Sequence, residues 1–277
     1  MKEQVKRFLK QLHLYHPLQS FYRKSILLLL NAYYRIIFFR YKGEGFACNF
    51  CKASYKKFVP ELPFKNIEAA IYSNDVIAGY GNNVYCPNCM SKNRERLVLA
   101  VIKEYVDIEN RKILHFSPEK HLFEYLKKRA QMTTVDIMPG FYKSIDTSIS
   151  YADATRLAFT DQSFDVIIAN HIFEHIPEDQ IAMKEMQRVL KTGGIAILQV
   201  PYSEKIATTI EEPFIKDPAR QELLYGQKDH VRIYGLKDYV NRLETAGFKV
   251  RILSPEELTK YRSYATQERE SVVLCYK

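Results

Sequence analysis

Acidic side chains are nearly missing from the start of this chain, where Glu3 is the only one before Gly43. The opening MKEQVKRFLK lacks the order of a cleavable leader. The most apolar stretch, residues 25–39, falls short of the ~20 residues that a membrane span needs and carries Arg35. Internal repeats and low-complexity tracts are absent. Cysteine is sparse at five residues, four of them in two CxxC pairs, which argues against a secreted disulfide scaffold and for a reducing cytoplasm.

What is present is a 277-residue chain, 47% hydrophobic, long enough for one large domain and a smaller appendage. Its net charge of +9 favours anionic surroundings, whether nucleic acid, phosphorylated compounds or an acidic lipid leaflet, without choosing among them. Residues 1–42 read as a basic helical arm. Val5, Phe8, Leu9 and Leu12 fall at helical spacing among Lys2, Lys6, Arg7 and Lys10, and Pro17 interrupts the pattern. Residues 25–39, bracketed by Arg23, Lys24 and Arg40, either pack on the rest of the chain or lie in a membrane interface, where basic residues snorkel. The second option would put the protein at the inner face of the membrane.

Residues 43–96 hold the pairs Cys48/Cys51 and Cys86/Cys89, the spacing of two knuckles whose four thiolates close around a structural Zn2+. The 34 residues between them predict a hairpin or small insert. Lys52, Lys56, Lys57, Lys92, Arg94 and Arg96, interleaved with Tyr55 and Phe58, leave an RNA-reading surface open beside a purely scaffolding role.

Residues 97–277 alternate helical and buried-strand patterns. A helix from Leu97 leads into a strand at 112–116, a second strand covers 133–137, and the hydrophobic run 164–169 is a strand buried on both faces. An amphipathic helix at 179–190 ends at Lys191-Thr192-Gly193-Gly194, a C-cap signal before the next strand, 195–200. Polar residues crowd at the end of the 164–169 strand: Asn170, His171, Glu174 and His175. In parallel sheets ligands bind beyond such carboxyl ends.

The segment YADATRLAFTDQSFDVIIANHIFEHIP, residues 151–177, resembles the class I S-adenosylmethionine-dependent methyltransferases in turn, strand and following polar motif. The resemblance implies an α/β fold with a Rossmann-like seven-stranded sheet, mostly parallel with an antiparallel last strand, preceded by the zinc ribbon and the arm. It implies that Asp153 and Ala154 meet the adenine, that Asp136 binds ribose hydroxyls, and that Asn170 lies on the cofactor side. The family's glycine-rich first turn is replaced by His115-Phe116-Ser117-Pro118-Glu119. There Ser117 is expected to cap a helix with Pro118 at its first position, and Glu119 to meet the cofactor's amino group. A narrower resemblance covers residues 46–250, to a subset of bacterial methyltransferases with a similar first motif, a cysteine-rich ribbon and a late GQxDHVRxYG segment.

Residues 201–236 are expected to close the acceptor side. If the acceptor is a hydroxyl, His230 with Asp229 is the first choice of base, with His171 and His175 as other candidates. The leading expectation is methyl transfer to a small-molecule or glycan-type acceptor. RNA methylation through the basic ribbon and a non-catalytic zinc adaptor are the alternatives.

Overall fold

The computed structural model describes residues 15–212 and 214–277. The chain enters on helix α1 (Tyr15–Ile37). Pro17 lies within this helix and does not end it. The amphipathic pattern read at Val5–Leu12 lies outside the described residues. At its C-terminal end α1 docks on the cysteine-bearing segment: Arg35 Nε donates to the Asn88 carbonyl at 2.8 Å and Phe38 is buried. Leu28, Leu29, Tyr33 and Ile36 remain exposed. Among the described residues no helix is long and apolar enough to cross a membrane.

The small module next in the chain comprises β1 (Lys42–Ala47), β2 (Ser54–Tyr55), β3 (Val59–Glu61), α2 (Lys65–Ser73) and β4 (Gly81–Tyr85). β1 pairs with β2 and β3 with β4, both antiparallel. Tyr55 and Phe58 are buried against Cys48, Cys86 and Phe38. These two rings therefore have no face to offer a base, contrary to the stacking surface that the RNA reading requires. Lys52, Lys56 and Lys57 are exposed, but two of the other cations depart from that reading. Lys92 pairs with Glu61 at 3.0 Å, and Arg96 is fully buried, donating to the carbonyls of Ser91, Val84, Tyr264 and Ala265. Five donors in a rigid fork suit arginine to tying the module to the 264–265 loop in this way.

α3 (Asn93–Tyr105) leads into the main domain: β5 (Lys112–Phe116), α4 (Lys120–Leu126), β6 (Gln131–Asp136), β7 (Ser150–Tyr151), β8 (Phe164–Asn170), α5 (Asp179–Val189) and β9 (Leu190–Gln199). Short strands β10 (Tyr202–Ser203) and β11 (Ile210–Glu211), helix α6 (Pro218–Tyr225) and β12 (Arg232–Gly235) form the insertion. Helix α7 (Leu236–Thr245) and strands β13 (Lys249–Leu253) and β14 (Val272–Tyr276) complete the chain. Seven strands make one sheet in the order β13-β14-β9-β8-β5-β6-β7, in which β14 alone runs antiparallel to its neighbours. This is the Rossmann-like sheet that the resemblance implied.

Alternation along the strands divides the core. Leu114, Ile167, Ala169 and Leu198 face α5 and α7, packing on Met183, Met186 and Leu243. Ile113, Val166, Ile168 and Ile197 face the other way, onto Leu97, Val101, Leu122 and Leu126 of α3 and α4. Each such fully buried side chain is worth about 1.5–3 kcal/mol, so a sheet covered on both faces is the stable state of these unbroken apolar runs. Cys275 belongs to this core, as expected.

The glycines at 193 and 194 do not cap α5. The helix ends at Val189 and β9 starts at once, with the glycines inside a bulge where the register against β8 shifts. Gly193 has φ +77°, and a Cβ on Gly194 would sit 2.9 Å from the Asp165 carbonyl. Only glycine fits an extra residue held that close to the neighbouring strand.

Candidate active site

The carboxyl ends of β5, β6 and β8 lie side by side. β5 does not turn into its helix as the sequence suggests. α4 starts at Lys120, and Ser117 has φ +45°. A serine thus takes the left-handed conformation that a glycine would supply in this turn. Its hydroxyl caps no helix but donates to Asp136 Oδ2 at 2.6 Å, while Met138 N donates to Asp136 Oδ1 at 2.6 Å. The carboxylate at the end of β6 is thereby fixed from both sides. Asp136 pairs with Tyr151 across β6 and β7, and its carbonyl accepts from Ala152 N at 3.1 Å. The turn carrying Asp153 and the buried Ala154 begins directly beside it. Asp153 Oδ1 accepts from Thr155 N and Oγ1 at 2.9 and 2.7 Å, which sets that turn.

Two residues of the first motif are spent inside the protein. His115 is fully buried, and its Nε2 lies 2.9 Å from Glu119 Oε2. Glu119 Oε1 accepts from Asn170 Nδ2 at 3.0 Å. Burial pushes the Glu119 carboxyl up, but the hydrogen bond and charge of His115, the charge of Arg94 and the Asn170 hydrogen bond together outweigh it and the pKa is lowered. His115 therefore has no surface for a cofactor, and each Glu119 oxygen already has one partner inside the protein. Together they orient Asn170, whose buried Oδ1 has no partner and stands ready to accept a proton donor.

Arg94 falls among the cations that suggest an external basic face, yet it turns inward. Its Nε is buried without a partner, and its charge lowers the carboxyls of Glu119 and Glu270 and opposes protonation of His171. A guanidinium with an unused buried donor beside these strand ends is suited to a carboxylate ligand. No sequence signal marks it, because its direction is set by the fold of the module that precedes α3.

Glu270, just before β14, is 5% exposed with Oε2 unpartnered, and burial raises its carboxyl to about 7. A raised folded-state pKa means that the unfolded chain loses this proton first as pH climbs. Glu270 should therefore cost up to about 3 kcal/mol of stability between roughly pH 4.5 and 7, compared with a side chain that does not titrate. Glu270→Gln is expected to unfold at higher urea concentration than the wild type at pH 8 and at the same concentration at pH 4. Equal midpoints at both pH values would contradict this.

On the acceptor side, β8 runs into His171, at φ +56°, and a turn holding Glu174 and His175. His171 Nδ1 lies 3.3 Å from Glu174 Oε1. Burial pushes the Glu174 carboxyl up, but the adjacent imidazoles, His171 above all, hold it at about 2. Burial lowers His171 and brings His230 down to about 4. The expected pairing of His230 with Asp229 is not found. Asp229 is exposed and meets His175 instead, with its Oδ2 3.4 Å and its carbonyl 3.2 Å from His175 Nδ1. The His230 ring is 4% exposed and lies edge-on to His175 at 4.6 Å.

His171 and His230 line a cavity of about 520 Å3 whose apolar wall includes Ile67, Ile71, Tyr80 and Tyr225. This wall has two sources. α2, from the segment between the cysteine pairs, packs on α6 of the insertion. At the end of α6, Gly226 has φ +83°, and a Cβ there would lie 3.1 Å from Ile71 Cδ1. A backbone bridge, Ile77 N to the Tyr202 carbonyl at 2.8 Å, ties the segment to β10.

The four paired cysteines converge. Cys48 Sγ is 3.7 Å from Cys89 Sγ and Cys51 Sγ is 3.7 Å from Cys86 Sγ, all four lying within 4.8 Å of one another. Sulfurs 2.3 Å from a tetrahedral ion would be about 3.8 Å apart. The two turns match: Lys52 N donates to the Cys48 carbonyl and Met90 N to that of Cys86, each at 2.8 Å, with Lys52 and Met90 at φ +64° and +62°.

A family model described as a methyltransferase domain matches residues 118–198. Over 124 residues the chain is 27% identical to 2-methyl-6-phytyl-1,4-hydroquinone methyltransferase of Synechocystis, covering 45% of this chain and 36% of that protein. Over 52 residues it is 36% identical to demethylmenaquinone methyltransferase of Staphylococcus aureus, covering 19% and 22%. The matches thus span well under two thirds of these relatives. In fold, the chain is similar to one in the complex between the Haloferax volcanii Trm112 methyltransferase activator and a methyltransferase. The TM-score is 0.51 at 13% identity, over 66% of this chain and 90% of that one.

Proposed function

We propose that the chain is a class I S-adenosylmethionine-dependent methyltransferase and that it methylates a small, partly apolar molecule bearing a hydroxyl. The observation that carries this reading is the cavity beside His171, which sets an apolar wall of Ile67, Ile71, Tyr80 and Tyr225 against polar and charged residues that include Arg94 and His230. Two of the relatives above are named for hydroquinone and menaquinone chemistry, which fits an acceptor with an apolar body and a ring hydroxyl.

When bound, the cofactor supplies a methyl group made electrophilic by its sulfonium. The residues fit it: Asp136 for the ribose hydroxyls, Asp153 and Ala154 for the adenine edge and face, Asn170 Oδ1 for its ammonium, and Arg94 for its carboxylate. His171 takes the acceptor's proton, and Glu174, 3.3 Å away, steadies its ring. His230, the base that the sequence favours, lines the same cavity but lacks the 3.3 Å carboxylate contact with which Glu174 orients His171. Zn2+ on Cys48, Cys51, Cys86 and Cys89 is structural, holding the segment that supplies Arg94 and half of the cavity wall.

The test uses the full chain with S-adenosylmethionine and a panel of alkyl-substituted hydroquinones, following S-adenosylhomocysteine release. His171→Asn is expected to lower kcat by about 100-fold or more while cofactor affinity stays unchanged. Turnover of the panel with kcat preserved in the variant would remove His171 from the mechanism. No turnover of any member would remove this acceptor class.

A further inference from the structure

We infer a second metal site, built from Glu174, His175 and His230 and separate from the four cysteines. One donor atom from each of the three lies within 4.8 Å of the others. Glu174 has a side chain 1% exposed, and its Oε2 has no partner, while Oε1 faces His171. A carboxylate oxygen buried without a hydrogen bond is costly unless a cation or donor meets it. His175 Nδ1 faces the Asp229 carbonyl at 3.2 Å, and a carbonyl can only accept. The proton therefore sits on Nδ1, leaving the Nε2 lone pair free, which is the tautomer that metal-binding histidines adopt when their other nitrogen donates to a carbonyl.

The two segments are held in register before any ion arrives. Val231 N donates to the Glu174 carbonyl at 2.9 Å, and the Arg232 guanidinium donates to the carbonyls of Phe173 and Pro177 at 3.0 and 2.8 Å. Two imidazoles and one carboxylate suit a divalent first-row transition ion, and three protein ligands leave coordination positions open. Of the three ligands, His230 lines the cavity assigned to the acceptor. An acceptor hydroxyl would complete the coordination sphere; that last point rests on the function proposed above, whereas the site itself does not.

The experiment titrates Co2+ into the full chain whose cysteine site is already filled with Zn2+, reading metal content and the visible absorption of cobalt. The wild type is expected to take up one equivalent of Co2+ without a thiolate charge-transfer band and without releasing Zn2+. Glu174→Gln and the more exposed His175→Gln should each weaken this binding at least tenfold, with far-ultraviolet circular dichroism reporting that both remain folded. A wild type that binds no cobalt beyond the cysteine site would overturn the inference. So would uptake by His175→Gln as tight as that of the wild type. Cofactor binding, measured on the same samples, separates failure of this site from failure of the methyltransferase reading.

Discussion

Asp136→Ala is expected to weaken S-adenosylmethionine binding by about 100-fold and, by releasing Ser117 Oγ and Met138 N, to lower the melting temperature by several degrees. The carboxylate lies at the end of β6, fixed by Ser117 Oγ and Met138 N, each at 2.6 Å, so its free lone pairs have one direction left. Charge-assisted hydrogen bonds contribute about 1.5–3 kcal/mol each, and about 2.7 kcal/mol corresponds to that fold-change. The residue is only partly buried at the strand end, so its loss opens no cavity in the core. Equilibrium dialysis with labelled cofactor measures the effect. An affinity within threefold of the wild type would show that the ribose is held elsewhere.

With Zn2+ on the four thiolates as proposed, Cys86→Ser should lose the ion, lower the melting temperature by roughly 10 °C or more and abolish acceptor turnover. Structural zinc contributes about 10–16 kcal/mol to the folding of small modules, and this module has little else to stabilise it. Its buried cluster is a handful of side chains around Phe58, and Arg96 ties it to the loop at Tyr264. The consequence reaches the active site by two routes, since the same segment positions Arg94 and places α2 against α6. Cofactor binding is expected to weaken less than turnover, because Ser117 and Asp136 belong to the sheet. Metal analysis, a thermal melt and the acceptor assay together check this. Normal turnover in a metal-free variant would make the cysteines dispensable.

The sheet is legible in the sequence because its signal is local: Ile113, Leu114 and Phe116, and Val166 to Ala169, are apolar runs of strand length, and the structure places strands at Lys112–Phe116 and Phe164–Asn170. The convergence of the four cysteines follows from spacing alone. What escapes a reading of the letters depends on contacts between distant segments. The missing glycine of the first turn reads as a defect, but Ser117 adopts the required φ because Asp136, 19 positions later, holds its hydroxyl. Glu119 reads as a cofactor ligand, and only the fold reveals that His115 and Asn170 use both its oxygens. Arg94 and Arg96 read alike as surface cations two residues apart; one aims at the strand ends and the other anchors a loop. Asp229 and His230 are neighbours in the chain, yet the turn between them sends Asp229 outward to His175.

A crystal structure of the full chain grown with S-adenosylmethionine tests the central claim most directly. The account predicts the nucleoside across the ends of β5 and β6, its ribose on Asp136, its adenine against Asp153 and Ala154, and its carboxylate on Arg94. A cofactor lodged elsewhere, or none at saturating concentration, would contradict it.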